Sequence, residues 1–336
     1  MPTQTNPSQK GSGHVGNPVA GDGFWREAIA LHGSVTLRVM PHVVAFGVLA
    51  TFIEVLVLSA EAHYGVRLGL PVAPYEVAGA LVGLLLVLRN NAGYDRWWEG
   101  RKLWGGIVNQ SRNLTLSALA YGPKDQTWRE QFVRWTATFP HVARQSLRGQ
   151  CVPEEFAHLI GATNAQVVAH SGHMPGRVAF RLAGLLEHAL VACSMSPYAF
   201  LQIDRERALL IDHIGACERI LKTPIPLVYS IKIRRFLFLF LLTLPFALIH
   251  KIGADLWVPI VTMLVAYPLI SLDQIGIELQ HPFSQRHLSH LPLDAICQTI
   301  ESNLLAHLEW SDSALITRGD AIDEELLHSD TVKESL

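Results

Sequence analysis

Four stretches of the chain are nearly unbroken in apolar residues: Val39 to Ala60, Leu68 to Leu88, Phe236 to Ile249 and Leu256 to Leu272. A helix needs about 20 such residues to cross a bilayer. The first, second and fourth stretches meet that length or come close. The third has 14 residues and must extend upstream or pack inside other helices. The second stretch does not stop. From Val77 to Leu88 it runs without a Pro or a Gly-rich break into the polar segment Tyr94 to Asn113. One element is therefore predicted to carry a wall of the membrane part into a soluble part, a geometry that suits a conduit better than an enzyme on an anchor.

Behind that junction, Trp97, Arg101, Trp104, Val108, Ser111 and Thr115 recur at spacings of three and four, as one face of a helix. Further helices are expected at Pro153-Glu-Glu, over Asn164 to Val168, from Arg177 to Val191, and from Leu293 to Leu308. Gly122-Pro123, Gly149, Gly172 and Pro175-Gly176 read as breaks. No segment alternates with period two, so the pattern predicts an all-α membrane protein with four transmembrane helices that continue into a helical cytosolic domain. The chain divides into an N-terminal arm (1–23), an N-terminal helix with spans one and two (24–89), a cytosolic helical region (90–230), spans three and four (231–275), and a C-terminal helix with an acidic tail (276–336).

Composition agrees. Charged residues are 17% and apolar residues 49% of 336, where a soluble protein carries nearer a quarter charged. The arm is rich in Gly, Ser, Pro, Asn and Gln; it lacks the apolar core of a signal peptide and reads as disordered. A net charge of −2 offers no basic surface for nucleic acid. Arg26, Arg38, Arg89, Arg96, Arg101, Lys102, Lys222, Lys232, Arg234 and Arg235 flank the spans on one side. The interspan loops hold only Arg67 and Lys251, which places both termini in the cytosol. Cys151, Cys193, Cys217 and Cys297 form no CxxC pair and fit reduced thiols.

Few residues suggest chemistry. Ala80, Leu84 and Leu88 make an i, i+4, i+8 stripe on a helix that is apolar all round. The stripe reads either as the wall of a dry pore or as helix packing beside Gly79 and Gly83. Ile225 stands between Pro224 and Pro226, in a stiff turn that is either a connector or a fixed apolar constriction. Glu54 falls inside the first span, and Glu76 starts the second. His170, His173, His281, His287 and His290 read as solvated or core histidines, not as metal ligands. The histidine-rich loops could still make behaviour depend on pH. No nucleotide loop, HExxH or GxSxG motif occurs, and the sequence implies neither enzyme nor cofactor.

Three blocks resemble the bestrophin family in its bacterial branch: Arg89 to Leu114, Pro224 to Tyr229, and Ser271 to Phe283 followed by Leu291 to Ile296. The resemblance implies a homopentameric ion channel of the bacterial inner membrane with one axial pore. It places the neck at Ala80, Leu84 and Leu88, and the cytosolic aperture at Ile225. Chloride is the permeant ion it implies first, with sodium or potassium as runner-up. Two departures stand out. The neck lacks the bulky or aromatic rings common in the family. Ser284 to His290 replaces the acidic run that helps eukaryotic members bind calcium, so no calcium activation is expected there. The rival reading is a membrane-anchored cytosolic binding or signalling module.

Overall fold

A computed structural model describes Gly23, residues 33–65 and residues 69–309. The rest of the arm, residues 24–32 of the expected N-terminal helix, and the acidic tail lie outside the described residues. Ten helices and no strand occur among the described residues. They are α1 (Thr36–Tyr64), α2 (Ala73–Tyr121), α3 (Gln126–Arg148), α4 (Glu154–Ile160), α5 (Ala162–Ala169), α6 (Met174–Ala192), α7 (Pro197–Lys222), α8 (Leu227–Ile252), α9 (Trp257–Leu279) and α10 (293–309).

Helices α1, α2, α8 and α9 are each long and apolar enough to cross a bilayer. The third span, only 14 residues as an apolar run, becomes a 26-residue helix. Its start is set by Pro226, which precedes the first turn and cannot donate to a preceding one. The cations Lys232, Arg234 and Arg235 are therefore inside the helix, exposed near one end. Long basic side chains tolerate such positions by reaching towards water.

Helix α2 has 49 residues, about 73 Å at 1.5 Å per residue. It passes from the apolar bundle into the polar one without interruption, as the junction at Leu88 predicts. Its buried positions include Val82, Leu86, Arg89, Gly93, Gly100, Trp104, Ile107, Ser111, Leu114 and Ala118. These lie three, four or seven residues apart, so one face stays inward along most of the length. The face read from the sequence is rotated from this seam. Trp104, Ser111 and Thr115 are buried as expected, but Arg101 is exposed and the seam runs through Gly100, Ile107 and Leu114. A glycine brings no hydrophobicity to a pattern, yet Gly100 lies so close to Pro282 and Phe283 that an added Cβ would crowd Pro282 at 3.2 Å.

The second bundle packs around α3. Phe132, Phe139, Val142 and Ala143 are fully buried there, against Trp104, Ile107, Leu182 and Cys297. Polar residues on α3 are buried too, which hides the helix from a periodicity reading. Each has a partner. Arg129 donates to the Leu119 and Pro123 carbonyls, and Gln145 to Val152. Arg144 and Arg148 hold Asp294 on α10, and His141 meets Glu301. Asp125 caps the N-terminus by accepting from Trp128 N at 2.7 Å, and Gly149 ends the helix at φ 64°. Pro175 and Gly176, read as a break, lie instead in the first turn of α6, where proline's missing N–H is no loss.

Candidate functional site: the long helix and the turn it holds

In a single chain, Ala80, Leu84 and Leu88 all lie exposed on α2. Leu84 and Leu88 keep about half of their surface (55% and 50%). The opposite face is spent: Val82 and Leu86 pack with Ile233, Leu237, Phe240 and Leu241 of α8. Of the two glycines that could mark helix packing, Gly79 does face the Phe240 ring, at 3.3 Å from a built Cβ. A Cβ added at Gly83 would enter open space. The chain thus leaves an aliphatic stripe uncovered where its own helices could have covered it.

One residue beyond Leu88, Arg89 turns inward. It donates to Oδ1 of Asp273 on α9, and Arg234 of α8 donates to Oδ2 at 3.0 Å. Arg89 is 1% exposed and Asp273 6%. This three-membered network ties α2, α8 and α9 at the end of the apolar segment and sets the azimuth of the neighbouring stripe.

Two turns further on, α2 holds the turn that contains Ile225. Arg96 Nη1 donates to the Thr223 carbonyl at 2.6 Å, and Nη2 to the Ile220 carbonyl. These are terminal carbonyls of α7, where a cation both satisfies the free acceptors and opposes the negative end of the helix dipole. Glu99 adds a second tie, accepting from Arg219 at 2.8 Å. Ile225, half-buried, sits between the two prolines in the short link from α7 to α8. The structure does not bring Ile225 into contact with the Ala80–Leu88 stripe; it links them through one continuous helix.

On α2 the first sequence block meets the third, and Arg96 holds the residues just ahead of the second. Gly93 faces the Gly276 carbonyl and Leu279, Gly100 faces Pro282 and Phe283, and Trp97 donates its indole N–H to the Ser289 carbonyl at 2.7 Å. Of the four aromatics on this part of α2, Trp104 is fully buried and Trp97 partly so. Tyr94 and Trp98 are about half exposed and stack on each other instead, with centroids 6.4 Å apart.

The remaining candidates have local roles. Glu54 is buried within α1. Nδ1 of His173 accepts from Gly176 N to cap α6, while Nε2 meets Glu218 at 2.7 Å. His281 and His287 stack at 4.7 Å, and His287 lies 3.5 Å from Glu278, an acid three residues ahead of the loop. Burial and the neighbouring His287 push the His281 imidazole below its usual range. Arg89 and Arg96 entered the sequence reasoning as charges that orient the spans, not as residues that tie helices together. Both lay in the block that carried the resemblance, but only the fold shows what each one holds.

Four apolar helices, one of which runs on out of the bundle, make this an all-α membrane protein over the described residues. The chain belongs to the bacterial/fungal bestrophin family, whose model matches residues 20–306. It is 32% identical over 293 residues to a voltage-dependent anion channel-forming protein of Nostoc sp., covering 85% of this chain and 92% of that one. It is also 32% identical over 280 residues to the voltage-dependent anion channel-forming protein YneE of Escherichia coli K12, covering 83% and 90%. A crystal structure of a bacterial bestrophin homologue from Klebsiella pneumoniae matches with a TM-score of 0.73 at 25% identity, over 80% of this chain and 98% of that chain.

Proposed function

We propose that the protein is a passive ion channel, built as a homopentamer in the bacterial inner membrane with both termini in the cytosol. The carrying observation is the stripe of Ala80, Leu84 and Leu88, left exposed on a membrane helix whose other face is packed. Symmetry about an axis beside that stripe turns each residue into a ring of five. The neck is then dry and aliphatic, and Ile225 forms a second apolar ring at the cytosolic end. Such rings act as barriers by dewetting and not as charged filters. The relatives named as anion channel-forming proteins support conduction over catalysis and an anion as the ion, for which chloride is our first reading.

Sodium or potassium selectivity is the second reading. The aliphatic neck offers no aromatic ring edge, whose partial positive charge would favour anions. Single-channel recording of purified protein in a planar bilayer under a salt gradient separates the two. A reversal potential near that of chloride is the expected result. One near the cation's keeps the channel and reverses the selectivity. No current from well-folded protein in any salt would return the anchored-module reading.

A further inference from the structure

At the end of the membrane bundle where Arg89 lies, α1, α8 and α9 enclose a cavity of about 290 Å³. Arg38, His42, Arg234, Gln274 and the carboxylate of Asp273 line its polar side, and Phe46 and Phe238 its apolar side. A second hollow of about 460 Å³ shares Arg234 and Phe238 and adds Arg235, Ile231 and Leu239. The two hollows adjoin at Arg234 and Phe238; the second is lined almost wholly by apolar surface, to which Arg234 and Arg235 give their aliphatic stems, so that the basic groups stand at its edge as a rim.

The charges of this rim do not cancel. Asp273 is already matched by the buried Arg89, so Arg234, half-exposed beside it, is a surplus cation. Arg38 pairs with the buried Glu278, which also accepts from Leu288 N and Gln274, and its other terminal nitrogen donates to the Arg286 carbonyl. Arg235 and Lys232 have no carboxylate partner among the described residues. Arg38, Arg234, Arg235 and Lys232 thus lie near the end of the apolar segments with a surplus of positive charge. Guanidinium forks match phosphate oxygens, and basic pockets between membrane helices above apolar walls suit lipid headgroups.

We propose that this rim binds the phosphate of an anionic phospholipid, with Arg234 and Arg235 as the main contacts, Arg38 and His42 at its flank, and an acyl chain along Phe46, Phe238 and Leu239. A lipid is favoured over a free phosphate because the polar groups line only one side of the hollow and the other side is apolar. The inference stands apart from conduction, since it is read from lipid retention without any current.

The test is native mass spectrometry of the full chain in detergent, with phosphatidylglycerol or phosphatidylcholine added, for the protein and three variants. Phosphatidylglycerol should be retained and phosphatidylcholine should not. Retention should fall about tenfold or more in Arg234→Gln/Arg235→Gln. It should also fall in Arg235→Gln, which breaks no ion pair and so keeps the test valid if the double variant misfolds. Lys251→Gln, at the other end of α8, should retain lipid normally. Equal retention in all variants, equal retention of both lipids, or an equal loss in Lys251→Gln would overturn the proposal. So would displacement by millimolar inorganic phosphate, which would make the ligand a soluble anion. Retention by separated protomers but not by the assembled oligomer would assign the face to a neighbouring copy and likewise overturn it.

Discussion

Arg89 on α2 and Asp273 on α9 form an ion pair almost wholly withdrawn from solvent, 184 residues apart in the chain. Two features make the arrangement tolerable. Asp273 has a second guanidinium, from Arg234, and the pair sits where the apolar bundle meets the polar one. The ion pair fixes how α2 is rotated, and so where the Ala80–Leu88 stripe points.

Removing one partner of a buried pair costs about 3 to 5 kcal/mol, because the other is left charged in a dry site. Arg234 compensates part of this for Asp273. Arg89→Met should therefore lose about 2 to 3 kcal/mol, less than Asp273→Leu, which strands the buried Arg89. Denaturation midpoints in detergent check the ranking, and equal midpoints for both variants and the parent would refute it.

Arg96→Gln should loosen the turn from Thr223 to Pro226 by removing two charge-assisted bonds to the end of α7. Hydrogen exchange at the Thr223 and Tyr229 amides reads this directly. Both should exchange faster in the variant, while amides in α3 remain unchanged.

In the proposed channel, Leu84→Ala and Ile225→Ala should each raise unitary conductance, since smaller side chains widen and wet an apolar ring. Unchanged or smaller currents in both variants would remove these positions from the ion path.

Acid should weaken the second bundle through His141 and Asp294. Burial holds the His141 imidazole below its usual 6.5, and this outweighs the pull of Glu301, so the 2.7 Å contact is a neutral N–H donating to a carboxylate. A group with a lowered histidine pKa binds fewer protons folded than unfolded. Its penalty therefore grows as pH falls below 6.5. Hydrogen bonds from Arg148 hold the Asp294 carboxyl below its usual 3.8, a contribution fully present above that value and lost only as pH falls further, through the lowered folded value. Thermal midpoints between about pH 7 and 5 should therefore drop mainly through His141, and His141→Gln should flatten the slope there.

Adjacent glycines on α2 should respond in opposite ways. A Cβ on Gly106 would lie 2.6 Å from the His213 ring on α7, and Gly106→Ala should destabilise by about 1 to 3 kcal/mol. A Cβ on Gly105 would have only Arg101 near it, at 3.5 Å, and Gly105→Ala should gain up to about 1 kcal/mol of helix propensity. Chemical denaturation of the two variants checks the contrast.

Runs of apolar residues by themselves determined the four membrane helices and the unbroken passage of α2 past Leu88, because a bilayer demands length and hydrophobicity that are visible one residue at a time. The two prolines around Ile225 likewise announced a turn, since proline restricts the backbone locally. The tertiary structure decided the rest. Which face of α2 is buried depended on glycines at 93 and 100, whose value is the close approach of Gly276, Pro282 and Phe283. The burial of α3 depended on partners for Arg144 and His141 that come from the distant α10, and on carbonyls at the end of α2 for Arg129. Likewise, the roles of Arg89 and Arg96 rest on Asp273 and on the end of α7. A charge in a sequence reads as solvated until the fold supplies its partner, and contacts between residues over a hundred positions apart leave no periodic trace along the chain.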